Sequence, residues 1–135
     1  MLSPALFAVI CAFLDSQTAA PRLVPEARPD RFRILTLEAL GDAMLDPALL
    51  CRYEAVLRPE PLRWPDWQDG QMAKVDSSLL HLEDGWLPVL ERGVTLGSIA
   101  VGCALGYLDF HFADKDWRGP ARPDRAGAPA RPRCG

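Results

Sequence analysis

Apolar residues in this chain recur every three or four positions rather than every two, the spacing of amphipathic helices. Ala5 to Asp15 reads as a short helix, and Pro21, Pro25 and Pro29 make the stretch from Ser16 an irregular connector. From Asp30, a suitable N-cap, a long helix is expected to run to about Leu57. Phe32, Leu35, Ala39, Leu45, Leu49, Tyr53 and Val56 fall on one of its faces, and Ile34, Leu37, Leu40 and Met44 fill a second. A helix apolar on two faces is expected between layers or at an interface. Pro47 should kink or interrupt it, because proline removes a backbone bond and crowds the preceding turn. Pro59, Pro61 and Pro65 punctuate the next connection.

A further helix is expected to end near Glu91, with Met72, Val75, Leu79, Leu82 and Trp86 as a seam and Pro88 loosening its last turn. Thr95 opens the last long helix. Ile99, Cys103, Gly106 and Tyr107 share one side of it, and Val101, Leu105 and Leu108 the other. Small residues at Gly97, Ala100, Gly102, Ala104 and Gly106 admit close neighbours, so this helix is expected at the centre of a bundle. No period-two run or hairpin signal competes, and the fold class expected is an all-α helical bundle. Beyond Trp117 there is no Val, Ile, Leu, Met or aromatic residue, which predicts a disordered basic tail over 118–135. The organisation read from these breaks is 1–15, a helix; 16–29, a linker; 30–117, the helical domain; and 118–135, the tail.

Composition narrows the function classes. With 49% hydrophobic and 24% charged residues the chain can build a core, so wholesale disorder is excluded. The net charge of -3 hides an acidic body followed by an Arg-rich end. An acidic body argues against a nucleic-acid groove, and the short basic end reads as solvated. Cys11, Cys51, Cys103 and Cys134 match neither a redox CxxC pair nor a zinc spacing, which favours a reduced, cytoplasmic protein. The apolar run Leu6–Leu14 has no Lys or Arg before it, so it reads as a helix rather than a secretory signal. That run and Val94–Leu108 are both too short to span a bilayer. No metal site is expected: His81 and His111 are far apart, and Asp109, His111, Asp114 and Asp116 lack the ligand spacing of a calcium loop.

Several strings in this order resemble the glutathione S-transferase family. Val9-Ile10-Cys11-Ala12-Phe13-Leu14-Asp15 looks like the last helix of its thioredoxin-like domain, and Pro21-Arg22-Leu23-Val24-Pro25 like the interdomain linker. Leu40-Gly41-Asp42-Ala43-Met44-Leu45-Asp46 with Arg52-Tyr53-Glu54 is similar to the first helix of the all-α domain. Leu96-Gly97-Ser98-Ile99-Ala100 with Gly106-Tyr107-Leu108-Asp109-Phe110 is similar to the buried helix that opens with a capping box.

The resemblance implies the fold of the family's C-terminal helical domain, over residues 8–118, and glutathione as the family's co-substrate. It implies no catalytic residue in this chain, because the thiol-activating group lies in the thioredoxin-like domain. The acid-Ser pair that holds the γ-glutamyl group would fall on Leu6 and Phe7, neither able to serve. Asp42, Leu45, Leu49 and Tyr53 are the candidate substrate wall; with the opposite wall absent, Asp42, Leu45 and Leu49 fit an exposed or interface face as well, and Tyr53 and Arg52 fit either a substrate contact or plain surface packing. Thr95 and Ser98 are the capping box, either short of the stabilisation an acid would give or adequately closed by Thr95 alone. The expected function is that of a truncated glutathione transferase-like protein without independent catalysis. A non-enzymatic interaction module is the alternative. Expected partners are a second copy or another protein and a hydrophobic small molecule, with no nucleic acid and no membrane.

Overall fold

The computed structural model describes residues 4–19 and 21–118. The helices are α1 (Pro4–Ser16), α2 (Arg28–Val56), α3 (Pro65–Gly85), the single turn α4 (Leu87–Leu90) and α5 (Leu96–His111), with a 3-10 turn at Glu60–Leu62. There is no strand among the described residues. Apart from Arg118, the tail expected over 118–135 lies outside them.

The hub is α2, which carries α3 and α5 against two of its sides. Its buried stripe is Ile34, Leu37, Gly41, Met44, Ala48 and Cys51, spaced by three or four residues. This is the face the sequence pattern placed second. Phe32 and Val56, from the face placed first, are 64% and 53% exposed. The sequence pattern left both faces apolar; what singles out the buried one is that small residues complete its seam. A Cβ on Gly41 would stand 2.7 Å from the backbone carbon of Ala100, and one on Gly97 would stand 2.6 Å from the Leu37 Cβ. Both glycines therefore set the separation of α2 and α5. Ile34 and Leu37 meet Gly97, and Gly41 meets Ala100, so the two helices run in the same direction. By contrast, a Cβ at Gly102 or Gly106 would meet nothing within 4 Å. Ile99 (41% exposed), Cys103 and Gly106 face outward, so α5 is buried on one side only and is not enclosed as expected.

Three boundaries differ from expectation. Helix α2 starts at Arg28, capped by Ala27 without a side-chain bond, so Asp30 lies in its first turn instead of capping it. Proline is tolerated there because the missing N–H has no intrahelical acceptor. Asp30 instead pairs with Arg33 at 3.4 Å and Arg92 at 3.3 Å. Pro47 does not interrupt α2; it is buried next to Ala48 on the core side. Helix α3 stops at Gly85 rather than near Glu91: Trp86 still donates its amide to the Leu82 carbonyl, and the chain restarts as α4. Pro88 has no amide with which to continue the α3 ladder. The α3 seam itself is as expected, with Val75, Leu79 and Leu82 buried and Met72 and Trp86 packed at its ends.

Candidate functional site

The first turn of α5 is built from short side chains. The Ser98 amide donates to Thr95 Oγ1 at 3.1 Å, and the Thr95 amide donates to Ser98 Oγ at 2.8 Å. The Ser98 hydroxyl also donates to the Thr95 carbonyl at 3.0 Å. Both arms of the box are therefore made, and a serine at its third position reaches far enough. A third orphan donor of this turn, the Leu96 amide, is taken by the Leu23 carbonyl at 3.0 Å. The connector is held in turn by buried Asp15, whose carboxylate accepts from the Leu23 amide at 2.6 Å and the Val24 amide at 3.2 Å. Nothing in the proline-rich composition of that stretch pointed to Asp15; its signal was an acid ending an apolar helix.

Asp42, Leu45 and Leu49 lie half-buried along one stripe of α2, and Tyr53 continues it at 42% exposure. The stripe borders α5 at the side of the packed seam. Where it ends, Tyr107 of α5 lies close enough to feel both Tyr53 and Arg52. Its phenol is pushed above the ordinary value, chiefly by burial and then by Tyr53, while the Arg52 guanidinium pulls the other way. At the other end Glu38, Asp42 and Asp46 repeat at four-residue spacing. Burial raises the carboxyl pKa of Glu38 and Asp42, and each is raised further by the next acid along the ladder. The wall is thus acidic at one end, apolar at Leu45 and Leu49, and aromatic at the other. Glu38, exposed Asp46 and Tyr107 border the stripe and were not singled out as site residues in the sequence; the four-residue spacing of the acids was the available signal.

Of the four wall residues, only Tyr53 also lines a groove of about 480 Å³ at the end of α2, with Leu50, Glu54, Leu57, Arg58 and Trp67. At its floor buried Glu54 accepts from the Trp64 amide at 2.9 Å and pairs with Arg58 at 2.8 Å. The Trp64 contact fastens the start of α3 to α2, and the Arg58 pair closes over the end of α2 itself. A second groove, of about 430 Å³, runs between α1 and α5 and is lined mainly by Cys11, Leu14, Pro21, Leu23, Leu96 and Ile99. Leu6 and Phe7 are exposed apolar side chains on α1, with nothing to offer an ammonium or carboxylate. Cys11, Cys51 and Cys103 are free thiols. Among the described residues no group of three or more His, Cys, Asp or Glu side chains is arranged to hold a metal ion. No described helix is long and apolar enough to cross a membrane.

This all-helical bundle is homologous to the C-terminal helical domain of the glutathione S-transferases. A glutathione transferase family member of Pseudomonas fluorescens Pf-5, solved with bound glutathione, superposes with a TM-score of 0.80 at 40% identity, over 83% of this chain and 55% of that one. A glutathione S-transferase of Methylobacillus flagellatus KT, also solved with glutathione, gives 0.70 at 29% identity, over 79% and 54%. In sequence the chain is similar to the uncharacterized GST-like protein YibF of Escherichia coli K12, 31% identical over 113 residues, or 81% of this chain and 54% of that protein. The chain thus spans about half the length of the relatives it matches. No protein-family model matches it.

Proposed function

We propose that this chain supplies the hydrophobic-substrate wall of a glutathione transferase-type protein and performs no turnover by itself. The carrying observation is the half-buried α2 stripe of Asp42, Leu45, Leu49 and Tyr53, apolar at its middle and open beside α5. A wall of this kind suits an aromatic or aliphatic electrophile, whose apolar body is removed from water while the reacting atom faces a thiol held elsewhere. Glutathione is the co-substrate on this reading. The chain's own residues bind and orient the electrophile; activating the thiol is the work of a thioredoxin-like domain. The absence of any strand among the described residues and the apolar pair Leu6 and Phe7 both support that division. The cytoplasm, where thiols stay reduced, is the compartment proposed.

The test uses the purified chain with glutathione agarose and a chlorodinitrobenzene. The expected result is no retention on the resin and no conjugation above the uncatalysed rate. Saturable turnover by the chain alone overturns the reading.

A second reading, a non-enzymatic interaction module, is favoured by α1. Phe7, Val9, Phe13 and Leu14 are 57%, 65%, 62% and 59% exposed, an apolar surface of the kind that recruits a partner. On that reading the chain self-associates or binds another protein, and sedimentation over a micromolar concentration series shows a rising mass.

A further inference from the structure

Helices α3 and α5 pack on α2 rather than principally on each other. What joins them directly is the segment after α5. Its backbone turns on itself, with the Lys115 amide donating to the Phe112 carbonyl at 2.9 Å and the Trp117 amide to the Lys115 carbonyl at 2.8 Å. That turn carries Lys115 to α3, where its ammonium pairs with half-buried Asp76 at 2.9 Å. It then brings the chain back to α5. Trp117 Nε1 donates to Asp109 Oδ1 at 3.1 Å, and the Arg118 guanidinium grips both Asp109 oxygens, with Nη2 2.6 Å from Oδ2. The same guanidinium stacks 4.0 Å above the Trp117 ring. Phe112 and Trp117 lie against the core from this segment.

We propose that Phe112–Arg118 is a clasp that ties α5 to α3 across the end of α2 and opens as a unit without unfolding the bundle. Two features favour local opening. The Asp109–Arg118 side of the clasp is solvent-exposed and therefore screened by salt, whereas the Lys115–Asp76 side is sheltered and screened less. Apart from half-buried Phe112 and Trp117, the contacts are ionic, so releasing them uncovers only the edge of the core. The clasp also has a built-in reporter. Lys115 stands close enough to Cys51 for its charge to act on that thiol, and Cys51 is 3% exposed with its Sγ 3.5 Å from the Gln68 carbonyl. Through Phe112, 6.5 Å from the Tyr107 ring, the clasp also braces the end of the α2 wall. That last link rests on the functional reading above; the clasp itself does not.

The experiment follows hydrogen exchange at the Phe112 and Lys115 amides together with alkylation of Cys51, resolved by mass spectrometry, using exposed Cys103 as the reference. Asp76→Asn is expected to speed exchange and Cys51 alkylation about tenfold, the scale of losing one sheltered charge-assisted contact, and Asp109→Asn or about 0.5 M salt on the unaltered chain about two- to fivefold, the scale of an exposed pair. The Cys103 rate and the thermal midpoint stay nearly constant. Unchanged Cys51 and amide rates under all three treatments overturn the proposal. So do rates that change only in step with global stability, since opening then belongs to the whole bundle.

Discussion

The seam between α2 and α5 and the outer face of α1 are both apolar, yet they behave oppositely. At the seam, Leu37 and Met44 are fully buried and two glycines let backbones meet. On α1, which is the more apolar helix by composition, Phe7, Phe13 and Leu14 stand mostly in the open. Hydrophobicity alone does not decide burial. What distinguishes the seam is shape: large residues alternate with Gly41, Gly97, Ala100 and Ala104, so ridges enter grooves. On α1 the large residues point out from the bundle, and among the described residues no helix packs extensively over them.

The sharpest test of the seam's side of this contrast is to add one methyl group on its packed face and one on the open face of α5. Gly41→Ala and Gly97→Ala are expected to destabilise by about 1–3 kcal/mol, the scale of overpacking, despite alanine's better helix propensity. Gly102→Ala, facing open space, is expected to stabilise by up to about 1 kcal/mol. Chemical denaturation of the three variants checks both signs, and equal shifts would mean that the seam is not limited by backbone contact. Next in size is the end of the seam. Thr95→Ala is expected to lower stability by about 1 kcal/mol, and Ser98→Asp to change it by only a few tenths, because the box is already closed. A large gain in Ser98→Asp would show that the serine bonds are not held in solution.

A smaller effect tests the edge of the wall. Glu38 and Asp42 have raised folded-state pKa values, so in the window above their unfolded values the folded state binds more protons than the unfolded one. Stability therefore falls as pH rises through that window. Asp42→Asn removes part of that slope and, by relieving like charges at four-residue spacing, is expected to stabilise the chain near neutrality by about 0.2–0.5 kcal/mol. Denaturation midpoints from pH 4 to 7 measure it, and an unaltered slope removes Asp42 from the ladder. The smallest stability change is expected on α1. Phe7→Ser with Phe13→Ser should leave the midpoint almost unmoved while abolishing dye binding and concentration-dependent association. A large loss of stability would place α1 inside the core.

Much of this architecture was legible in the chain. Three-and-four spacing located every long helix, and the Val75–Leu79–Leu82 seam was read residue for residue. The α2 core face was read only in part, as Ile34, Leu37 and Met44; Gly41, Ala48 and Cys51, which close it, stand out only once α5 and α3 are packed against them. Helix ends moved where proline acts by position: harmless at Pro29 in a first turn, accommodated at Pro47, decisive at Pro88. The α2 stripe proposed as a substrate wall could be named from the sequence as four side chains, but its polarity could not. That polarity depends on which acids lie half-buried together and on Tyr107 arriving from another helix, and both require the packing.

The Asp15 carboxylate gives the connector a mechanical role. It clamps Leu23 and Val24, and Leu23 in turn holds the first amide of α5, so α1 and the seam are linked by a chain of short hydrogen bonds rather than a slack tether. If the apolar face of α1 takes a partner as proposed, this bracket is the hydrogen-bonded route by which a load would reach the capped turn at Thr95, beside the close contact of Gly97 with Leu37.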